Sequence, residues 1–516
     1  VHTNPSTTRG AQVWLLYYLY GVERAGRLTN QRFLGQHDWY REGADALVAA
    51  QDELGGGQWK GVGHSEDNPH IATSLCLLFL SKGRRPILIS KLKHAPVDDW
   101  NHHRTDLANL TNYVERQWKR DLTWQIIDTS HAEPDDLLQS PVLFLTGSAA
   151  PQFTDAQVHN LREYVDRGGF LFAEACCGGE AYDRAFRQLM RRMFPEPEHQ
   201  LRLLPPEHPV WTAEERVDPR YMKPLWGIDL GCRTSVVYCP DDLGCFWELA
   251  RVGREDKLPA KVNEQVSAVR SIGINVLAYA TNRELKYKLE GTPPPESEFK
   301  NDPVERARIW IAKLRHSGGW NIAPQALPNL MKTVARNASL RVNVDSRELA
   351  LTDPRLFEHH MIFMHGRNAF QFNPAERKQL RTFVERGGLL LADAICGSDA
   401  FAAAFRREMN ATFSDHPLEP IPASHPLFSA AYGGFDLRRV GLRELQGGGG
   451  GPTRAVTKQV PPELEGIKVD DRYGVVFSPH DLSCALERHE SIECPGYNRE
   501  DAARIGLNVI LYSLAE

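Results

Sequence analysis

The sequence predicts an α/β fold: two copies of one α/β domain in tandem after an N-terminal all-α repeat segment. Three observations lead there. The 516 residues exceed what one core accommodates and suit roughly three domains of about 100–200 residues each. The first ~95 residues carry helical apolar periodicity. A strand, helix, Gly-Gly, strand block then occurs twice, with Leu161, Tyr164 and Val165 followed 219 residues later by Leu380, Phe383 and Val384. We place the helical segment at residues 1–95, the first α/β domain at 122–290 and the second at 304–516.

Composition narrows the function classes. Hydrophobic residues at 42% and charged residues at 25% are ordinary for a globular chain. A net charge of -5 without a Lys/Arg block offers no footprint for nucleic acid. The longest apolar runs, Val13–Tyr20 and Ile71–Leu80, are shorter than the ~20 residues a membrane helix needs, so no transmembrane segment is expected. Nine cysteines without dense spacing argue against a disulfide scaffold.

In the helical segment, Trp14, Leu15, Tyr18 and Leu19 form one apolar stretch and Ala46, Leu47 and Ala50 another. Gln51 followed by Gly55-Gly56-Gly57-Gln58-Trp59 resembles the Gln-Trp motif of terpenoid-cyclase-like (prenyltransferase and squalene oxidase repeat) α/α toroids, with Ala46 standing where that motif usually has an aromatic. No Asp-rich acid motif accompanies it, so the resemblance implies shape and not cyclase chemistry. Because one or two such repeats bury too little to stand alone, further repeats are expected before Val1.

Beyond Leu122, Gln125–Asp128 and Val142–Thr146 read as short buried strands, and Thr154 with Gln157 as a capping box opening a helix. That helix stops at Gly168-Gly169, and Phe170–Glu174 is the next strand. The second copy repeats this with strand Ile362–Met364, Asn373-Pro374 and Glu376 at the helix start, Gly387-Gly388 at its end, and strand Leu389–Asp393. Tyr182/Phe401, Phe186/Phe405 and Met190/Met409 continue the match as a core stripe. So do His208-Pro209/His425-Pro426, the block Pro240–Cys245 against Pro479–Cys484, and a closing helix around Asn275/Asn508, where both asparagines are expected to satisfy buried backbone.

The offset grows from 207 at Asp229/Asp436 to 239 at Pro240/Pro479, which gives the second copy 32 extra residues. They contain Gly447–Gly451, which we read as a flexible inserted loop at about 440–470, because no Lys or hydroxyl follows to meet phosphate. Gly291–Pro303, rich in Pro, Glu and Ser, reads as the surface connection between the copies, and a new segment starts at Trp310–Leu314.

The run Phe170-Leu-Phe-Ala-Glu-Ala-Cys176-Cys177-Gly178-Gly179 resembles the nucleophile elbow of class I glutamine amidotransferase-like proteins, and His208-Pro209 resembles a turn of their ThuA-like branch. Residues ~122–516 look like a tandem of a bacterial domain family with that flavodoxin-type fold. The resemblance puts Cys176 at the nucleophile position, where such a turn aims a thiol at backbone N–H groups. The second copy has Ile395 there, and neither copy has the late His-x-Glu pair of the amidotransferases.

Duplicated carboxylates without a complete triad therefore point to a non-catalytic ligand-binding or assembly protein, with a Cys176-dependent hydrolase or amidase as the alternative. Ligand-binding candidates are Glu174, Cys177, Gly178 and His208 in the first copy and Asp393, Cys396, Gly397 and His425 in the second. Glu174 and Asp393 read either as ligand contacts in the crevice beyond the sheet or as caps on the backbone of the next helix. Cys232, Cys239 and Cys245 lack zinc spacing and read as core, and the adjacent pairs His102-His103 and His359-His360 point apart, so no metal site and no cofactor are expected. The expected partner is a small molecule or protein, with a scaffold in a cell-envelope complex as a third class; the family leans the compartment towards export, to the periplasm.

Overall fold

A computed structural model describes residues 13–515 apart from 52–55, 64, 82–84, 96–98, 251–256, 286–308, 339, 345–346 and 447–451. Gly55, the Gly291–Pro303 connection and the Gly447–Gly451 run lie outside the described residues. The chain forms two compact units. The first runs to Val165 and includes Gly169–Gly227 and the residues from Val236; the second holds Asp166–Gly168, the hairpin tip Ile228–Ser235 and the C-terminal half.

In the first unit, helices α1 (Leu15–Thr29), α2 (Trp39–Ala49) and α3 (Pro69–Leu80) bury Leu19, Trp39, Leu47, Trp59 and Phe79 together. Trp59 Nε1 donates to the Leu47 carbonyl at 2.6 Å and Gln51 Nε2 to the Gly57 carbonyl at 2.8 Å, so the Gly-rich turn is fastened to the end of α2. Tyr17, Tyr18, Leu77 and Leu78 stay exposed on α1 and α3.

The sheet that follows starts earlier than the sequence reading placed it, with strand β1 (Ile87–Lys93) and helix α4 (Asp106–Trp118). Then come β2 (Thr123–Asp128), the short α5 (Pro134–Leu137), β3 (Val142–Gly147), α6 (Asp155–Asp166), β4 (Phe170–Ala175) and α7 (Glu180–Met193). The first sheet and its covering helices are completed by β5 (Arg202–Leu203), β6 (Trp226–Leu230) and β7 (Arg233–Cys239), whose shared tip Ile228–Ser235 belongs to the second unit, and by α8 (Gly244–Leu249) and α9 (Ala260–Thr281). The strand order is β2-β1-β3-β4-β7-β6-β5, with parallel pairing from β2 through β7 and antiparallel pairing of β5 with β6. Every residue of β3 and β4 is buried, as central parallel strands covered on both faces require. The Thr154/Gln157 box caps α6 through reciprocal bonds of 2.8 and 3.2 Å.

The second unit repeats the plan. Its elements are β8 (Ile311–Leu314), α10 (Ala326–Asn337), β9 (Arg347–Leu349), β10 (Met361–Gly366), α11 (Pro374–Glu385), β11 (Leu389–Ala394), α12 (Asp399–Thr412) and β12 (Glu419–Pro420). After them come β13 (Val440–Gln446), β14 (Arg454–Val460), β15 (Glu465–Val469), β16 (Arg472–Ser478), α13 (Ser483–Glu487), β17 (Gly496–Tyr497) and α14 (Arg499–Ala515). Read from β9, the order is β9-β8-β10-β11-β16-β15-β12, which is that of the first sheet strand for strand. β15 is therefore the counterpart of β6, and Asp436, which precedes β13, is not the counterpart of Asp229 as the sequence pairing has it, so the 32-residue length derived from that pairing does not hold.

The insertion is not a plain loop. β13 and β14 pair along seven residues, Val440–Gln446 against Arg454–Val460, and β17 joins them in a third sheet. The glycine run between them in the sequence obscures the alternating pattern that pairs them.

Asn275 and Asn508 sit buried on the closing helices and use their whole amide. Asn275 Oδ1 accepts the Glu214 and Glu215 N–H groups while Nδ2 donates to the Trp211 and Glu215 carbonyls. Asn508 Oδ1 accepts the Phe435 N–H and Nδ2 donates to the carbonyls of Leu427 and Phe435 at 2.9 Å each. Either asparagine changed to Ala orphans several buried backbone groups at roughly 1–3 kcal/mol each. Denaturant unfolding is therefore expected to show a loss of about 2–4 kcal/mol for Asn275→Ala and for Asn508→Ala.

Candidate functional site

At the carboxyl end of β4 the chain turns through Cys176–Gly178 into α7, and at the end of β11 it turns through Ile395–Gly397 into α12. Cys177 and Cys396 hold φ of 56° and 52°, the left-handed region that side chains larger than glycine seldom enter. Such outliers concentrate at functional sites. Cys177 Sγ consequently lies 3.6 Å from Cys176 Sγ, although neighbours along an extended chain ordinarily point to opposite faces.

The two turns are fastened in the same way. Asp242, just ahead of α8, accepts the Cys177 N–H at 3.0 Å and the Cys245 N–H at 2.9 Å. Asp481, just ahead of α13, accepts the N–H groups of Cys396 at 3.0 Å, Cys484 at 3.1 Å and Ala485 at 3.1 Å. Behind them, Glu174 accepts the Leu243 and Gly244 N–H groups, and Asp393 accepts those of Leu482 and Ser483. Both acids are fully buried, and the backbone they cap is not that of the helix after the elbow, α7 or α12, but the start of α8 or α13, which follows the neighbouring strand β7 or β16. Burial, the charge of Asp242 and that of Asp106 push Glu174 up to about 7 against the opposing N–H bonds of Gly244 and Leu243. Burial and then Asp481 raise Asp393 in the same direction.

The first turn gathers more than the sequence indicated. His103 Nε2 is 3.4 Å from Cys176 Sγ and 3.6 Å from Asp242 Oδ2, and His103, Cys176, Cys177 and Asp242 bring four donor atoms within 4.8 Å of one another. His103 is the half of the His102-His103 pair that turns inward; His102 bonds Asp99 instead, at 2.9 Å. His103 stands upstream of the elbow in the sequence, on the loop after β1, and not downstream where the amidotransferase pattern places its base. Lys91 on that strand holds the loop, donating to the His103 carbonyl at 2.7 Å, to Asn101 Oδ1 at 3.0 Å and to Asp106 at 2.7 Å.

This constellation differs from a Cys-His-Asp triad in two respects. The carboxylate and the thiol both face the same ring nitrogen, whereas a triad carboxylate orients the imidazole from the other one. The Cys177 N–H, which would stabilise an oxyanion at an acyl-transfer elbow, is taken by Asp242. The local field agrees: burial, the Cys177 thiol and the charges of Asp242 and Glu174 all raise the Cys176 thiol. His103 is raised by its bond to Asp242, against the opposing effect of burial.

Among the described residues no histidine joins the second cluster; His365, on β10, bonds Ser483 Oγ at 2.8 Å instead. The offset of 220 between Asp106 and Ala326, where α4 and α10 begin, puts Ala323 opposite His103, and Ile395 replaces Cys176. Instead Cys232, Cys396, Asp481, Cys484 and Cys494 bring their donor atoms within 4.8 Å. Cys232, set aside with Cys239 and Cys245 on chain spacing, thus joins a cluster, whereas Cys239 is buried in β7 as expected. The two copies also differ in cover: a Cβ on Gly178 would meet nothing within 4 Å, while one on Gly397 would meet Pro495 at 3.3 Å.

His208 and His425 are not brought to either cluster. Each caps a short helical turn through Nδ1, accepting the N–H of Val210 or Leu427 at 3.2 Å, with its ring against Tyr279 or Tyr473. A separate cavity of about 510 Å³ opens at the carboxyl ends of β1 and β2 between Lys93, Asp128, Thr129 and Phe153, and includes no residue of the elbow.

Residues 88–281 and again 310–514 match the family described as a domain of unknown function, DUF4159. No curated protein matches the sequence. A crystal structure of a candidate phosphosugar isomerase from Silicibacter pomeroyi DSS-3 is similar over 68% of this chain and 85% of that one, at 10% identity and a TM-score of 0.16, a likeness that carries no argument.

Proposed function

The chain belongs to the DUF4159 family as two consecutive copies, and on that footing we propose that it is a non-catalytic binding module whose first elbow captures a soft divalent cation such as Zn²⁺. The observation that carries this is the convergence of His103 Nε2, Cys176 Sγ and Cys177 Sγ around one point. Asp242 is occupied by two backbone N–H groups and serves to hold the turn. Three protein ligands from His and Cys leave a fourth position for an outside ligand, the open arrangement of zinc sites that bind something further. Cys177 is solvent-exposed, which gives that position access. The amidotransferase-like relationship belongs to the same proposal and is supported by the order of the five parallel strands, with the first between the second and third. The toroid resemblance draws support from the bonds of Trp59 and Gln51.

Competition between the reduced full chain and a chromophoric chelator for Zn²⁺ tests this. His103→Ala and Cys177→Ser are expected to weaken an exchangeable equivalent roughly tenfold or more. Unchanged affinity in both variants would refute the proposal. The 3.4 Å approach of His103 to Cys176 favours one second reading, a Cys-dependent hydrolase. Iodoacetamide at neutral pH on the metal-free, reduced chain separates the two: the binding module leaves buried Cys176 unlabelled while exposed Cys177 reacts, whereas a hydrolase alkylates Cys176 first.

A further inference from the structure

In the second unit we infer a closed structural zinc site made by the four thiolates of Cys232, Cys396, Cys484 and Cys494. It is distinct from the open elbow of the first unit and does not depend on it. The ligands come from four places in the sequence: the β6–β7 hairpin tip, which belongs to this unit, the turn after β11, the start of α13, and the segment leading into β17. Chain spacing could not have revealed such a set.

Three features select zinc and four sulfurs. Cys232 Sγ touches both Cys396 Sγ and Cys484 Sγ, and one sulfur can form a disulfide with only one of them. Cys396 and Cys484 sulfurs lie 3.9 Å apart, and all donor atoms lie within 4.8 Å. A tetrahedron with Zn–S bonds of 2.3 Å has edges of about 3.8 Å, which matches the Cys396–Cys484 separation, while a cubane iron–sulfur cluster would hold its sulfurs farther apart. Asp481 is excluded as a ligand because its oxygens already accept three backbone N–H groups, which lock the Cys396 and Cys484 turns together. It acts as the positioning residue.

The surroundings fit a closed, anionic site. Cys484 and Cys494 are buried, Pro495 covers Gly397, and Arg443 donates to the Cys494 carbonyl at 3.0 Å, placing a guanidinium beside the excess negative charge of four thiolates around Zn²⁺. The insertion supplies Arg443 on β13, and β13 pairs with β17 just past Cys494. The first copy has neither that strand nor Cys494.

The full chain, purified under reducing conditions, is expected to retain one equivalent of Zn²⁺ through dialysis against EDTA and to release it on mercurial modification of thiols. Cys484→Ser and Cys494→Ser are expected to abolish this chelator-resistant equivalent, and His103→Ala and Cys177→Ser to leave it intact, so failure here is distinguishable from failure at the first elbow. Should the serine variants not fold, Co²⁺ exchanged into the wild-type chain is expected to show thiolate-to-cobalt charge transfer and the intense visible bands of tetrahedral tetrathiolate coordination. A chain that holds no resistant metal, an intact mass two hydrogens short with Cys232 in a disulfide, or a Co²⁺ spectrum without thiolate bands would each overturn the inference.

Discussion

Lys91→Met is expected to destabilise the first unit by about 3–5 kcal/mol, the cost of leaving a buried charge without its partner. Lys91 and Asp106 are both fully inaccessible, and their 2.7 Å contact is the ammonium's link between β1 and α4. The same ammonium also holds Asn101 and the His103 carbonyl. Asp106→Leu added to Lys91→Met is expected to recover much of the loss, since a buried ion pair replaced by apolar groups of similar volume is often close to neutral. It should not recover Zn²⁺ affinity at the first elbow, because the loop that presents His103 remains untied. The second copy already shows half of this change: Ala326 stands in place of Asp106, and Lys313, bonded to Asn321, is pushed down to about 8 by burial despite the charges of Glu487 and Glu348. Urea unfolding monitored by tryptophan fluorescence measures the stability difference; a loss under 1 kcal/mol would show that the buried pair is dispensable.

The second large effect is expected at Asp481. Its fully buried carboxylate accepts the N–H groups of Cys484 and Ala485, also buried, and of half-buried Cys396. Asp481→Ala orphans all three, and at roughly 1–3 kcal/mol per buried unsatisfied group the second unit should lose about 3–6 kcal/mol. Asp481→Asn keeps one acceptor oxygen and is expected to fall between wild type and Ala. The chelator-resistant Zn²⁺ should fall with the clamp in the same order, which denaturation and metal analysis of the same samples can establish. Equal stability of wild type and Asp481→Ala would mean that the clamp does not organise the turn.

Much of the architecture was legible in the sequence because it was written twice. Leu161, Tyr164 and Val165 with Leu380, Phe383 and Val384 identified equivalent helices, and the following Gly-Gly pairs and apolar runs located β4 and β11. β1 was lost because Lys91, a charged residue, interrupts its apolar run, and its burial makes sense only with Asp106 opposite. The inserted hairpin was lost because five glycines suggested a loop, while the pairing of β13 with β14 depends on residues either side of them.

The candidate sites were only partly legible for a related reason. Glu174, Asp393, Cys177 and Cys396 could be found because the strand ends that carry them are duplicated. His103, Cys232 and Cys494 have no counterparts between the copies, and each reaches its cluster from a remote segment. Asp242 and Asp481 did leave a signal: they lie in the shared Pro240–Cys245 and Pro479–Cys484 blocks, where both copies keep an acid three residues before a cysteine, and that acid clamps the preceding elbow. The duplication thus preserved the clamp and exchanged the groups around it: His103 and Cys176 stand at the first turn, Cys232 and Cys494 at the second.

A crystal of the full chain grown with Zn²⁺, with diffraction recorded on both sides of the zinc absorption edge, would locate the metal at each turn. Two anomalous peaks are expected, one among Cys232, Cys396, Cys484 and Cys494 with four sulfur ligands, and one beside His103, Cys176 and Cys177 with an outside ligand completing the coordination. The absence of zinc from both turns, with Asp242 and Asp481 still bound to the elbow N–H groups, would contradict metal binding as the shared purpose of the duplicated clamp.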